Sequence, residues 1–222
     1  IQSAGAEVIH LGHDQSAKAV VDCAIQEDAH GVALTSYQGG HVEYFTYIRQ
    51  LLDEAGCEHI RIFGGGGGTI TPPEIKTLHE SGISKIYSPD DGRTMGLMGM
   101  IHHLMGIASE VDLIHPDRLA SLDGPVTPED TAKVGLLLTM SESADDATFK
   151  ATLDTCRSSE KEVPVIGFTG TGGAGKSSLL DELMLRILRD NPGKKVCLLC
   201  VDPTRKRTGG ALLGDRIRMN SL

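Results

Sequence analysis

The chain has 222 residues, a net charge of −9 from 21 Lys and Arg against 30 Asp and Glu, 27 glycines, four Phe, four Tyr and no Trp. That length holds one large or two ordinary domains with cores of their own, and an aliphatic, glycine-rich composition predicts parallel α/β architecture rather than an aromatic-rich sandwich. The charge leaves no footprint for nucleic acid or an anionic membrane, so a small-molecule partner is expected. No apolar run reaches the ~20 residues that span a bilayer, and no signal-peptide pattern opens the chain. Five cysteines without framework spacing point to a reducing compartment, and the protein is expected to be soluble and cytoplasmic.

Residues 1–5 read as the end of a helix with a glycine cap, and Leu222 falls in what reads as mid-helix, so the sequence has the look of a fragment. Strand and helix patterns then alternate. Strands are predicted at 6–11, 31–36, 60–63 and 85–87, with helices at 16–28, 41–55, 71–81 and 94–107. Ala17, Val20, Val21, Ala24 and Ile25 share one face of the first helix, and Phe45, Ile48, Leu51 and Leu52 one face of the second. The alternation predicts a doubly wound parallel sheet over residues 1–112.

Ligands of such sheets bind beyond the carboxyl ends of the strands. Those ends carry Gly12-His13-Asp14, Thr35 to His41 with Ser36 and Tyr37, the run Gly64, Gly65, Gly66, Gly67 and Gly68, and Ser88 to Gly92. Five consecutive glycines cost conformational entropy, and close approach of a bulky group to the backbone would explain them; a flexible loop is the plain alternative. His41 is ambiguous, since starting a helix is a common structural role, while His102 and His103 on a helix read most simply as a surface or packing pair.

Residues 113–162 contain Pro116, Pro125, Pro128 and polar runs, and read as a linker with helical pieces; 134–140 suits either a helix or a strand. A third region, 163–222, opens with a predicted strand at 163–168 and then Gly170-Thr171-Gly172-Gly173-Ala174-Gly175-Lys176-Ser177, the phosphate-loop pattern G-x-x-x-x-G-K-[ST]. A helix follows, with Leu179, Leu180, Leu183, Met184, Ile187 and Leu188 at helical spacing. The glycines let backbone N–H groups of the loop and of Ser177 and Ser178 face phosphate oxygens. Lys176 supplies a charge to the β- and γ-phosphates, and the Ser177 hydroxyl a ligand for Mg²⁺. A further strand at 196–201 ends at Asp202, placed to hold Mg²⁺ or its water. Asp215 and Arg218, three apart on one helical face, offer a second carboxylate and a cation, or else a surface ion pair. Cys197 and Cys200 lie inside the strand pattern on opposite faces, which disfavours a metal or redox pair.

Ser36-x-Gln38 with Gly65-Gly66 resembles the later part of the cobalamin signature D-x-H-x-x-G…S-x-L…G-G, with Gln38 in place of Leu. Taken with His10 to Asp14, Ser36 to Phe45, Gly170 to Ser178 and the run Asp202 to Met219, nearly the whole chain resembles the fused isobutyryl-CoA mutase family. The resemblance implies a flavodoxin-like adenosylcobalamin domain followed by the start of a P-loop GTPase domain that gates cofactor loading. It implies that Ser36 hydrogen-bonds the displaced base of the cofactor and that Gly64 to Gly67 line the channel for its nucleotide tail, with Gly12, His13 and Tyr37 completing the contacts. His13 stands at the wrong strand end to ligate cobalt, and the ligating histidine would lie upstream of Ile1. The family further implies GTP with Mg²⁺ on Ser177, Asp202, Asp215 and the Val201 carbonyl, an acyl-CoA substrate held by a barrel outside this chain, a homodimer, and an adenosyltransferase as possible cofactor donor. Guanine preference rests on the resemblance alone. Two other readings stay open: a cobalamin-carrying GTPase chaperone without mutase activity, and a P-loop kinase with a flavodoxin-like regulatory domain.

Overall fold

The computed structural model describes residues 1–157 and 163–199. Gly31–Thr35 (β1), Arg61–Gly65 (β2) and Lys85–Tyr87 (β3) form a parallel sheet in the order β1-β2-β3. Val32 stands opposite Ile62, and Gly64 lies between Leu34 and Ile86. Parallel neighbours need long crossovers, and here these are the helices Ala17–Gln26 (α1) before the sheet, His41–Glu54 (α2) between β1 and β2, and Pro72–Glu80 (α3) between β2 and β3. The apolar periodicity places their faces as the sequence predicts. Val20, Val21 and Ala24 of α1, Phe45, Ile48 and Leu52 of α2, and Leu78 of α3 are buried with Ile62 and Ile86 in one core. Because strand side chains alternate, Ile86 meets Phe45 on the α2 side of the sheet, while Tyr87 turns to the other face and meets His103 of the helix Pro89–Ser109 (α4).

The start of α4 corrects one expectation. Ser88-Pro89-Asp90-Asp91 is a helix N-terminus: Ser88 Oγ accepts the Asp91 N–H at 3.2 Å, and the Asp91 carboxylate accepts the Ser88 N–H at 2.8 Å. Lys85 donates to the same carboxylate at 2.9 Å. The helix therefore begins five residues before the predicted start, and the break comes inside it at Gly96, with φ 65° and ψ 173°.

Two predicted strands are not formed, and of a third, 196–201, only residues 196–199 are described. Residues 6–11, 163–168 and 196–199 have no regular structure, and Val8, Val165 and Ile166 are 43%, 94% and 73% exposed. An apolar run becomes a strand only when a neighbour takes up its N–H and C=O groups, and among the described residues the strands of the sheet pair only with one another.

The segment after α4 is helical: Pro116–Leu119 (α5), Thr131–Ser143 (α6) and Asp146–Cys156 (α7). Stretch 134–140, open to either structure in sequence, lies in α6. Leu122, Leu136, Met140 and Cys156 bury a second small core. At Gly135 a Cβ would stand 2.9 Å from the Ile25 carbonyl oxygen, so α6 approaches the end of α1 more closely than a side chain would allow. Beside it, Asp28 is buried and accepts from Arg118 Nη2 at 2.5 Å and Thr139 Oγ1 at 2.8 Å, while Arg118 also donates to the Leu113 carbonyl. Residues 9–160, with Ile1, make one compact unit. The second comprises residues 2–8 and 161–222. In it, Gln2–Ala4 is a single 3-10 turn closed by Gly5 at φ 101°, and Lys176–Asp190 (α8) is the described helix.

Candidate functional site

The phosphate-loop sequence forms a tight turn running into a helix. Gly173 and Gly175 take left-handed φ values of 76° and 79°, which only glycine adopts without strain, and Gly175 is the N-cap of α8. A glycine cap supplies no side-chain acceptor, so the first-turn N–H groups of α8 receive no bond from the cap residue. Nothing lies within 4 Å of where a Cβ would stand at Gly172, Gly173 or Gly175. No other part of the protein therefore packs against these three glycines. Ala174 closes the turn by donating to the Thr171 carbonyl at 3.3 Å. Lys176 opens the helix, and its Nζ donates to the carbonyls of Gly170 at 2.7 Å and Thr171 at 2.8 Å. The ammonium is thereby folded over the loop. Ser177 and Ser178 follow, exposed, in the first turn. Val201, Asp202, Asp215 and Arg218 lie outside the described residues. Among the described residues no three His, Cys, Asp or Glu side chains gather to hold a metal, which leaves the predicted Mg²⁺ set untouched since three of its four members are outside them.

In the first unit the ends of β1 and β2 bring Ser36, Tyr37 and the glycine run together. The Ser36 N–H donates to the Gly65 carbonyl at 3.0 Å, and its hydroxyl reaches the Gln38 carbonyl at 3.4 Å. Tyr37 is 69% exposed, with its ring lying over Gly67. Gly12, at φ 85°, and His13 sit in the exposed loop before α1. The glycine run has a reason that sequence alone does not supply. A Cβ at Gly64 would stand 2.6 Å from Ile86 and 2.7 Å from Phe45, one at Gly66 2.3 Å from the Ser36 carbonyl, and one at Gly67 2.9 Å from the Tyr37 ring. The bulky groups close to these glycines are the chain's own. Gly65 and Gly68 would meet only ordinary contact, 3.5 Å from the Tyr87 carbonyl and 3.4 Å from Pro89, though Gly68 holds a φ of 102°. Tyr37 stays largely exposed beside Ser36, while Gly12 and His13 stand in their own exposed loop.

His41, ambiguous from sequence, has a more specific place, and sequence reasoning missed its partner Glu74. His41, the first residue of α2, is 5% exposed, with Nδ1 3.1 Å from the Gln38 carbonyl and Nε2 3.4 Å from Glu74 Oε2. Glu74 accepts the N–H and hydroxyl of Thr71, both at 2.7 Å, and these bonds hold its carboxyl below the usual range. The spacing Thr71-x-x-Glu74 is a capping-box signal that the sequence displays.

Over its whole length the chain is 50% identical to the fused isobutyryl-CoA mutase of Geobacillus kaustophilus, 49% to that of Nocardia farcinica and 48% to that of Cupriavidus metallidurans. Over its whole length the chain is thus similar to one part of the fused isobutyryl-CoA mutases. It spans about a fifth of the length of these relatives, 21%, 20% and 20% respectively. Residues 134–222 match the family described as methylmalonyl Co-A mutase-associated GTPase MeaB. The phosphate loop lies inside that match, and so do most of α6 and all of α7, which fold in the first compact unit. Among the described residues no helix is long and apolar enough to cross a membrane.

Proposed function

We propose that this chain joins a flavodoxin-like cobalamin domain, residues 1–112, through the helical segment 113–162 to the start of a GTPase domain, 163–222, in a protein that interconverts isobutyryl-CoA and n-butyryl-CoA and uses GTP to gate the loading of adenosylcobalamin. The observation that carries this is the open glycine turn capped by Lys176 at the start of α8, within a chain about half identical to fused mutases along its full length. In this reading Lys176 leaves the carbonyls of Gly170 and Thr171 for the β- and γ-phosphates. The N–H groups of Gly172 to Ser178 surround the phosphates, and Ser177, Asp202, Asp215 and the Val201 carbonyl hold Mg²⁺, with Arg218 towards the γ-phosphate. Ser36 takes a hydrogen bond at the cofactor's base, while Tyr37, Gly12, His13 and the glycines from Gly64 to Gly67 border it. Adenosylcobalamin supplies the radical chemistry when bound, and the protein's part is to position it and exclude water. The acyl-CoA barrel lies outside this chain. A homodimer and an adenosyltransferase donor are part of the same reading. GTP turnover by the full-length protein tests it: Lys176→Ala is expected to lower turnover by about 10³-fold or more, since most phosphoryl-transfer catalysis is charge stabilisation and positioning. Unchanged turnover removes the loop from the reaction.

A further inference from the structure

We propose that His41 is a positioning residue, a brace between the β1–α2 loop and the β2–α3 loop that sets the opening between Ser36 and the glycine run. The proposal rests on the cobalamin reading above for its ligand, while the brace itself rests on geometry.

Four observations converge on it. The side chain is 5% exposed, although a histidine at the first position of a helix has ready access to solvent. Its Nε2 has no hydrogen-bond partner, and a buried polar atom left unsatisfied is uncommon and unfavourable by about 1–3 kcal/mol. The two ring nitrogens face different loops: Nδ1 lies 3.1 Å from Gln38 O, two residues beyond Ser36, and Nε2 lies 3.4 Å from Glu74 at the start of α3. The same two loops also meet where the Ser36 N–H donates to the Gly65 carbonyl, where the Ser36 carbonyl lies so near Gly66 that no Cβ fits between them, and where the Tyr37 ring lies over Gly67.

The chemistry of the ring then fixes its state. A carbonyl oxygen cannot donate, so the proton between His41 and Gln38 is on Nδ1. In the neutral ring Nε2 therefore presents a lone pair to the Glu74 carboxylate, which is unfavourable. In the imidazolium it presents an N–H, and the contact becomes a charge-assisted hydrogen bond once the distance falls from 3.4 Å to within about 3 Å and the donor lines up. Approach of the loops by a few tenths of an ångström, as when a planar group fills the opening between them, satisfies Nε2. Glu74 is ready for this, because its bonds to Thr71 keep it ionised and fixed on α3.

The test uses two isosteric replacements in the full-length protein. The amide nitrogen of His41→Gln reaches the place of Nε2, and that of His41→Asn the place of Nδ1. Each variant keeps one end of the brace only, so adenosylcobalamin affinity, read from visible absorbance, is expected to fall about tenfold, or 1.4 kcal/mol, in both. Glu74→Ala should weaken binding similarly, and the double variant His41→Asn/Glu74→Ala should be no weaker than the worse single one, because both remove the same contact. Amide exchange over Gly66 to Thr71, measured without cofactor, should quicken in both His41→Asn and His41→Gln. Wild-type exchange in either variant, or additive losses in the double variant, overturns the brace. Should the wild type bind no cobalamin, the cofactor reading fails while the exchange comparison still decides the role of His41.

Discussion

Asp28→Ala should be among the most destabilising single changes in the first unit, and the reason can be worked from its surroundings. The carboxylate is 4% exposed and takes bonds from Arg118 and Thr139, with His59 Nε2 3.6 Å away. Its residue also holds a left-handed φ of 44°, which a non-glycine residue keeps only when its surroundings enforce it. Removing one partner of a buried ion pair costs about 3–5 kcal/mol, because the other charge stays buried. For a domain of this size that corresponds to a fall in Tm of about 6–20 °C. Burial raises the Asp28 carboxyl, but His59, Arg118 and Thr139 together outweigh it, so the folded value lies below the ordinary 3.8. A depressed carboxylate contributes stability that is complete above the unfolded value and lost as pH falls through the folded one. The gap in stability between wild type and Asp28→Ala is thus expected to be constant from pH 7 down to about 5 and to narrow below 3.8. Replacing both partners, Asp28→Leu with Arg118→Met, should recover part of the loss, since apolar groups carry no desolvation penalty. Thermal melting by circular dichroism across pH reads all three variants. A loss under about 1 kcal/mol for Asp28→Ala, or a gap that does not narrow in acid, refutes the reasoning.

Gly66→Ala forces the Ser36 carbonyl away from a Cβ that would stand 2.3 Å from it, so a loss of about 1–3 kcal/mol in chemical denaturation is expected, together with weaker cobalamin binding. Leu136→Ala, at the centre of the small helical core, should cost about 2–5 kcal/mol in the same assay. Ser88→Ala removes the cap of α4 and should cost about 1 kcal/mol. Burial raises the Asp91 carboxyl, but bonds from Ser88 and Lys85 bring it down to about 2, so its contribution should be complete above 3.8 and disappear as pH falls towards that lower value. A Ser88→Ala melting profile parallel to wild type through that window counts against the assignment.

The elements visible in sequence were those whose signal is local. In α2, Phe45, Ile48 and Leu52 recur at helical spacing and are all buried, and the phosphate-loop pattern predicts a glycine N-cap with a lysine at the first helical position, as found. The strands at 6–11 and 163–168 illustrate the opposite case: alternation and apolarity are properties of the segment, whereas pairing depends on a neighbour. Asp28 and Arg118 are 90 positions apart, and nothing in either neighbourhood announces their pairing. The five glycines were legible as an anomaly but not as a mechanism, since the groups they accommodate, Phe45, Ile86, Ser36 and Tyr37, come from other elements. His41 and Glu74 join through two loops that only the fold brings together, although the Thr71-x-x-Glu74 cap was already readable.

The central claim is that a GTPase in this chain gates the cofactor, and transfer of adenosylcobalamin into the full-length protein tests it most directly. Stopped-flow absorbance would follow transfer without nucleotide, with Mg·GTP and with a non-hydrolysable GTP analogue, in wild type, Lys176→Ala and Asp202→Ala. A nucleotide moves a gate only through different affinity for its two states, so wild type should transfer cofactor at rates that differ among the three conditions. Both variants should give one rate in all three, with the cobalamin affinity of the nucleotide-free protein unchanged. Identical rates in wild type with and without GTP would contradict the account and leave the two modules as neighbours by fusion alone.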